Sequence, residues 1–441
     1  MDDDALVAEA EPRTAPGIFQ NSVSNVIGLV GISALGALVG LLTAITLGRE
    51  TVGILAVAFG ISEFGRALSA CTHIPSIVEY HAGKHDERTI YGSSLAVKAI
   101  ASSGFVLLVM ALAPTVDRFL HVPPVILVPY ALVVILVTGF EVGAARLEAT
   151  NRMVRSNLIN ASGTVLSVFL VTALVVTHTL TLYTSVAVVI TWNLALSAVA
   201  WHYARPRGAL RVDVGLAWSM TRYGLRIVSA SLLTQGLLWT DTLLISHIQG
   251  NADAGVYQTV FTMTNVMVTA SSAMGVALVP ALSRLRERGD DTSMGYQRGT
   301  VIALCMSLGI ALLWIVGGRF VLGLYGPGFV EGYPALVVLT LFGISAALTV
   351  PAATMLTIHA RAGLLSALSL GQLLLNVPLN YFMILHFGLL GAAVATTMIF
   401  ALGTALSWIA VRRTTGAWPL SNAAVQEVRE YAAKGVSRLR G

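Results

Sequence analysis

The chain has 441 residues, of which 56% are hydrophobic and only 11% are charged. A soluble domain carries about 25% charged residues, so this composition excludes a soluble protein and indicates a polytopic membrane protein. The net charge of +5 follows membrane topology, as the loops show below, and we expect no nucleic-acid partner.

Twelve hydrophobic segments are long enough to cross a bilayer, because a helical span needs about 20 apolar residues. They lie at residues 22–47, 51–79, 90–113, 123–147, 157–178, 182–204, 224–248, 253–282, 296–318, 332–359, 362–386 and 389–411. We therefore predict an all-α fold with about twelve transmembrane helices. The two cysteines inside these segments and the scattered histidines predict no disulfide, no metal site and no cofactor.

The distribution of Lys and Arg predicts the orientation of the spans. With the N-terminus in the cytoplasm, 22 of the 27 basic residues fall in inner loops and tails, and only three fall in outer loops. We therefore expect both termini to be cytoplasmic. Residues 1–17 are acidic where a signal peptide would be basic, so we interpret them as a disordered tail.

The two halves of the chain share a spaced pair of glycines. Gly48 and Gly53 mark the hairpin after span one, and Gly250 and Gly255 mark the hairpin after span seven, 202 residues later. Six spans followed by six in the same orientation form a parallel repeat, and transporters bind substrate between such halves. The predicted parts are an acidic tail at 1–17, an N-lobe at 18–204, a cytoplasmic linker at 205–221, a C-lobe at 222–411 and a basic cytoplasmic tail at 412–441.

Four charged side chains fall inside spans of the N-lobe. Glu63 and Arg66 share one face of span two, Lys98 lies in span three and Glu141 lies in span four. A charge at the bilayer centre costs at least about 3 kcal/mol, so these side chains must face protein or water. The four charges cancel, which leaves open a structural network and a substrate or cation site. For Lys98, a stem that reaches the cytoplasmic interface is a further explanation.

Asp241 places a carboxylate inside span seven of the C-lobe. It is either an ion-coupling group or a carboxylate that its neighbours satisfy. The polar neighbours considered are Thr234, Gln235, Trp239, Thr240 and Thr242. Asn376 and Asn380 stand one helical turn apart in span eleven, and their spacing predicts that they line a wet cavity.

Polar side chains recur at helical spacing along span eight. Gln258, Thr262 and Asn265 lie on one side of this helix, and Thr269 and Ser272 continue that side. Polar side chains also join helices, but five positions in register favour the wall of a water-filled cavity.

Short motifs in the second half resemble the polysaccharide-transporter family, which contains the flippases of O-antigen and other lipid-linked oligosaccharides. The motifs are Asp241-Thr-Leu-Leu-Ile, Ala254-Gly255-Val256-Tyr257, Pro280, Leu324-Tyr325-Gly326, Asn376-Val-Pro-Leu-Asn380 and Gly388-Leu-Leu-Gly391-Ala392-Ala393. The family shares an exporter superfamily with multidrug and toxin extrusion proteins. The first half resembles it more loosely, through Gly53-Ile-Leu.

The resemblance implies two six-helix lobes around a central cavity, working by alternating access in the plasma membrane of a bacterium. It implies export of an undecaprenyl-pyrophosphate-linked glycan, with H⁺ and Na⁺ both open as coupling ions and a glycan polymerase or synthesis complex as a further partner. A pyrophosphate needs cations, so the resemblance assigns its binding to Arg66 and Lys98, with Arg226 at the inner mouth. Glu63 and Glu141 offset these cations, which departs from the cationic cavity of the family.

Two other functions stay open. One is a cation-coupled exporter of small molecules, which the balanced charges and Asp241 favour but the aromatic content of 7% does not. The other is a scaffold in a glycan-synthesis complex, which offers no reason for a polar side on span eight. We expect no catalytic residue in any of the three, because no enzyme motif is recognisable in the chain.

Overall fold

A computed structural model describes residues 15–150 and 152–439, and it contains helices and no strands over that part of the chain. The helices are α1 Ala15–Ser69, α2 His73–Ala82, α3 Glu87–Leu120, α4 Pro124–Leu136, α5 Thr138–Ala149, α6 Met153–Val176, α7 Leu182–Ala204, α8 Val214–Ile248, α9 Asn251–Glu287, α10 Ser293–Tyr325, α11 Tyr333–Ile358, α12 Ala362–Thr415 and α13 Asn422–Leu439. The predicted all-α class is confirmed.

Two of these helices contain a reversal of the chain. Gly48 interrupts α1 with φ 77°, and Gly388 interrupts α12 with φ 59°, values that glycine adopts at little cost. Each therefore supplies two antiparallel spans. A short 3₁₀ turn at Ala70–Thr72 joins α1 to α2, and α4 and α5 follow one another as one span. Each of the twelve predicted segments thus corresponds to a helical segment.

Eight helical segments in the described part are long and apolar enough to cross a membrane. Large apolar side chains on their surfaces face outward, such as Leu107, Phe169 and Val316, which are 66%, 67% and 77% exposed. Such a surface suits hydrocarbon rather than water. Helices α8 and α9 are not among the eight, and they are the helices that carry Asp241 and the predicted polar side of span eight.

The reversals divide the bundle into two ends. We call the end with the reversals at Gly48, Gly250 and Gly388 the outer end, and the opposite end, where α12 finishes and α13 lies, the inner end. At the inner end, α8 begins within the predicted linker because the carboxylate of Asp213 accepts a hydrogen bond of 2.8 Å from the backbone N–H of Leu216.

The basic tail contains a helix that docks on the bundle. Glu427 of α13 pairs with Arg298 of α10 at 2.7 Å, and Gln297 donates to the carbonyl oxygen of Trp418 at 3.0 Å. Residues 1–14 of the predicted acidic tail lie outside the described part of the chain. The last residues of that predicted tail belong to α1, which begins at Ala15.

The glycine pairs of the two halves meet each other at the outer end. A Cβ atom at Gly53 would lie 1.7 Å from the carbonyl oxygen of Asn251, and one at Gly255 would lie 2.1 Å from the carbonyl oxygen of Arg49. The backbones of α1 and α9 therefore touch, as small residues allow. Arg49 also pairs with Glu331 at 2.7 Å, which joins the same two halves.

Further hydrogen bonds close the outer end beside this glycine contact. The hydroxyl of Ser246 donates to the carbonyl oxygen of Leu120 at 2.9 Å, and the amide of Asn251 donates to that of His121 at 2.8 Å. These bonds connect the turn after α3 with the hairpin between α8 and α9. The outer ends of the predicted lobes are consequently in contact in this structure.

Helix α8 contacts both halves of the molecule. At its inner end, a Cβ atom at Gly224 would lie 1.8 Å from the carbonyl oxygen of Cys71, so α8 packs backbone-to-backbone on the turn between α1 and α2. Further along, Gly236 packs against Leu373 of α12. The helix thus packs against both halves of the chain, and near its outer end Ser246 also bonds to Leu120 of the first half.

Candidate functional site

A guanidinium lies between two carboxylates in the first half of the chain. The Nη1 atom of Arg66 donates to Glu63 at 2.8 Å, and its Nε atom donates to Glu141 at 3.3 Å. Glu63 precedes Arg66 by three residues on α1, which places both on one face, and α5 brings Glu141 from the neighbouring span. Arg66 is 38% exposed and both carboxylates are 15% exposed, so the cation is the most accessible of the three.

Lys98 completes this cluster from α3. Its side chain is 1% exposed and its ammonium group pairs with Glu141. The explanation that its stem reaches the interface is therefore wrong. Arg146, which lies on the same helix as Glu141, pairs with Glu87 at 2.6 Å. The four predicted charges of the N-lobe form one continuous ion-pair network.

The network has an asymmetry that stability measurements can detect. Glu141 holds two cations, whereas Lys98 pairs with no other acid among the described residues. Glu141→Met leaves a buried ammonium unpaired and is expected to cost about 3 kcal/mol or more. Lys98→Met leaves Glu141 with Arg66 and is expected to cost about 2 kcal/mol.

Thermal unfolding of the purified variants tests this order. We expect Glu141→Met to lower the unfolding midpoint more than Lys98→Met does, and the double variant to recover part of the loss. Equal midpoints for the two single variants would contradict the arrangement of the network.

Arg66 lines two cavities. The first, of about 440 Å³, lies among α1, α4, α6 and α7, and we call it the lobe cavity. The second, of about 450 Å³, lies between the first half of the chain and α8, and we call it the interlobe cavity. Besides Arg66, the polar residues of the interlobe cavity are His73, Lys98, Glu141, Glu148, Ser156, Asn157, Asn160 and Ser231. The charged cluster therefore faces a space between the predicted lobes.

One further side-chain contact in the interlobe cavity joins α2 to α5. His73 and Glu148 approach to 3.2 Å, each with about a third of its side chain exposed. Sequence reasoning did not identify Glu148, which lies two turns beyond Glu141 on α5. That spacing of seven residues was the available signal.

The remaining candidates on α8 and α9 are more dispersed. Arg226 is exposed on α8, and it is not among the residues that line the interlobe cavity, although its neighbour Ile227 is. Gln258 accepts a hydrogen bond of 2.8 Å from Thr242, so it joins α8 to α9. Thr262 is exposed and Asn265 is half-buried. Their roles as a cavity wall stay predictions.

Asp241 lies in a buried polar cluster of the second half. Its Oδ2 atom accepts hydrogen bonds from Tyr257 of α9, at 2.8 Å, and from Thr396 of α12. The neighbours on its own helix that were expected to satisfy it do not supply these bonds. Asp241 is fully buried, and its Oδ1 atom has no partner among the described residues.

Asn376 and Asn380 extend this cluster. Both are fully buried, so the prediction that they line a wet cavity is wrong. Asn376 lies beside Asp241 and interacts with its carboxylate, whereas neither polar side-chain atom of Asn380 has a hydrogen-bond partner in the described part of the chain. Buried polar side-chain atoms without hydrogen-bond partners are uncommon in proteins.

Two members of the cluster were missed as site residues. Tyr257 and Thr396 reach Asp241 across 16 and 155 residues of chain. The first could have been found, because a hairpin at Gly250 brings positions 241 and 257 to similar heights. For Thr396 the sequence carries no comparable signal.

Comparison with known proteins gives a family and a fold. A family model described as "Polysaccharide biosynthesis protein" matches residues 46–334. A probable low-salt glycan biosynthesis flippase, Agl15 of Haloferax volcanii, is 25% identical over 193 residues, which are 43% of this chain and 41% of the relative. The match thus spans less than half of that relative's length.

Solved transporter structures share the architecture. An inward-facing multidrug resistance transporter of the MATE family, in the MOP superfamily, superposes with a TM-score of 0.76 at 13% identity, covering 87% of this chain and 94% of that one. The lipid II flippase MurJ, in an inward closed conformation, gives 0.76 at 10% identity, covering 89% and 87%. These matches confirm the predicted plan of two six-helix lobes around a central cavity.

Proposed function

The chain belongs to the polysaccharide biosynthesis protein family, and from this premise we propose that it flips a lipid-diphosphate-linked oligosaccharide across the plasma membrane by alternating access. The distribution of Lys and Arg supports cytoplasmic termini, so the inner end faces the cytoplasm. The Haloferax relative carries the name of a glycan biosynthesis flippase, which supports a substrate of this class.

The observation that carries the proposal is the position of Arg66. Its guanidinium lies at the border of the lobe and interlobe cavities and is more exposed than either of its carboxylate partners. A diphosphate presents oxygens that match the guanidinium fork, so it competes with Glu63 and Glu141 for the same donors. The balanced charge of the resting site then serves to release the diphosphate after transport.

The contacts at the outer end support the alternating part of the proposal. Gly53, Gly255 and the pair of Arg49 with Glu331 hold the two lobes together there. The interlobe cavity lies toward the opposite end, among residues of α2, α5 and α8. This conformation accepts substrate from the cytoplasm, and transport requires the outer contacts to separate.

We further assign the coupling cation to the cluster around Asp241. Na⁺ prefers oxygen ligands, and the carboxylate of Asp241 with the amide oxygen of the neighbouring Asn376 would provide two of them in a buried place, with Asn380 one helical turn away. A proton needs only the carboxylate and gives no reason for the buried, unpartnered amide of Asn380 one turn from Asn376. The cluster therefore favours Na⁺ over H⁺.

A reconstituted system tests the substrate and the role of Arg66. Liposomes receive the protein and a short lipid-diphosphate-linked oligosaccharide, and an added glycosidase reports the sugar that reaches its side. We expect protein-dependent exposure, and we expect Arg66→Ala to slow it at least about tenfold because a charge-assisted hydrogen bond to phosphate is lost.

Two variants control this experiment. Arg66→Lys keeps the charge and should retain part of the rate, whereas Arg319→Ala removes an exposed arginine from the outer end of α10 and should leave the rate unchanged. Exposure no faster than in empty liposomes would exclude this glycan as substrate. An unaltered rate in Arg66→Ala would exclude the assigned contact.

A second candidate function rests on the lobe cavity. Three aromatic rings line it, from Phe59, Tyr130 and Trp192, together with the acid Glu63. Such a pocket suits an apolar cation and favours the small-molecule exporter. Efflux of a cationic dye from the same liposomes, driven by a cation gradient and abolished by Glu63→Gln, would support that function in place of flipping.

A further inference from the structure

A third cavity lies away from the sites described so far. It has a volume of about 580 Å³ and sits at the inner end, between the two halves of α12. Its apolar wall is formed by Leu364, Leu368, Leu406, Ile409 and Ala410. The two halves of α12 touch further out, where Gln372 donates to the carbonyl oxygen of Ile399 at 3.2 Å. The cavity is thus a pocket between two helices that close above it.

The rim of this cavity is cationic. Arg361 precedes the first residue of α12 and Arg413 lies near its last, and both are exposed. Neither makes an ion pair with a residue in the described ranges, and no acid lines the cavity. The first turn of α12 carries no side-chain cap, and space is open around Gly363, so its free N–H groups also favour an anion.

The surroundings place the cavity at the level of lipid head groups. Arg412 stacks over the ring of Trp418 at 4.1 Å, and that ring is 50% exposed, as is usual for aromatic residues at a membrane interface. Within the wall, Leu364 and Ile409 are 39% and 45% exposed, so the apolar groove opens outward to hydrocarbon. The cationic rim suits an anionic head group, and the apolar wall suits an acyl chain of the same molecule.

We propose that this cavity binds an anionic phospholipid of the cytoplasmic leaflet, with its phosphate on Arg361 and Arg413 and an acyl chain along the leucines of α12. The cytoplasmic leaflet is the one that carries anionic lipids in excess, and the proposed topology puts the cavity there. A cavity of this size accepts a head group and part of a chain but not an oligosaccharide. The site shares no lining residue with the interlobe cavity, so the lipid is a structural or modulating ligand distinct from the transported one.

Counting bound lipids tests the proposal without an assay of transport. The protein is delipidated in detergent and titrated with phosphatidylglycerol or phosphatidylcholine of the same chain length, and native mass spectrometry records the adducts. We expect one phosphatidylglycerol to bind at least about tenfold more tightly than phosphatidylcholine. Arg361→Gln with Arg413→Gln should abolish this difference, because the charges that select the anionic lipid over the zwitterionic one are lost.

Matched variants decide between a site and a diffuse attraction. Arg152→Gln with Arg155→Gln removes two exposed arginines around the start of α6, also at the inner end, and should leave the preference intact. Arg361→Lys with Arg413→Lys keeps the charge and should retain most of it. The proposal would be overturned if both pairs of Arg→Gln substitutions lost the preference for phosphatidylglycerol equally. It would also be overturned if the wild type showed no such preference. Displacement of the lipid by millimolar inorganic phosphate would overturn it as well, because it would identify a site for the free anion.

Discussion

Replacing Gly53 with Ala is expected to hold the outer ends of α1 and α9 apart and to slow transport about a hundredfold. The added Cβ would lie 1.7 Å from a backbone oxygen, that of Asn251, which no rotamer change can relieve. Overpacking of this kind costs about 3 kcal/mol, which lowers the population of the outer-closed state about a hundredfold. Gly255→Ala meets the backbone of Arg49 and should act in the same way.

Two measurements on Gly53→Ala separate this effect from misfolding. A cysteine at Thr259, one turn beyond Gly255 and 7% exposed, should react with an impermeant thiol reagent in the variant and stay shielded otherwise. The background for this cysteine lacks the exposed Cys305. Gly104→Ala, where a Cβ meets no atom within 4 Å, should transport normally. A shielded cysteine together with a normal rate in Gly53→Ala would contradict the proposed closure.

Asp241→Asn is expected to abolish the dependence of transport on Na⁺. The substitution keeps the shape of the side chain but removes the charge that would hold the cation among Asn376 and Asn380. In liposomes, replacing Na⁺ by choline at constant ionic strength should slow flipping by the wild type. The Asp241→Asn variant should flip slowly in both media. Asn376→Ala should raise the Na⁺ concentration for half-maximal rate at least about tenfold, since one ligand to a charged group is lost.

Asp253→Asn is the matched control for Asp241. Asp253 is an acid in the first turn of α9, half-buried at the outer end and outside the cluster. This variant should respond to Na⁺ as the wild type does. If a pH gradient replaces Na⁺ in driving the wild type, the cluster carries a proton and our choice of cation is wrong. If Asp241→Asn still responds to Na⁺, the cation binds elsewhere.

Periodicity in the sequence predicted what lies along one helix. The pair of Glu63 and Arg66 follows from a spacing of three residues, and the twelve segments follow from length and hydropathy, so both were accessible without a structure. The partner of Glu141, in contrast, could not be predicted from the sequence. It depends on the rotation of α3 and α5 about their axes, which puts Lys98 against the carboxylate and turns Arg146 toward Glu87.

The packing of helices against each other, which sequence spacing does not reveal, also explains the incorrect predictions in the second half of the chain. Asn376 and Asn380 were expected to face water because amides are polar, yet packing of α12 buries both, and Asn376 lies beside Asp241. Thr396 reaches that carboxylate only because the reversal at Gly388 returns the chain beside its own first half. Sequence spacing carries no information about such contacts between spans.

Helix α8 contributes residues both to the cluster around Asp241 and to the interlobe cavity. Asp241 and Ser231 lie ten residues apart on this helix, about 15 Å at 1.5 Å per residue, the first in the cation cluster and the second in the interlobe cavity. At the inner end, the close backbone contact between Gly224 and Cys71 holds α8 against the first half of the chain. We propose that a change of charge at Asp241 that moves α9 and α12 also moves the α8 wall of the interlobe cavity. On this proposal, cation binding in the second half would reach the substrate cavity through a single helix.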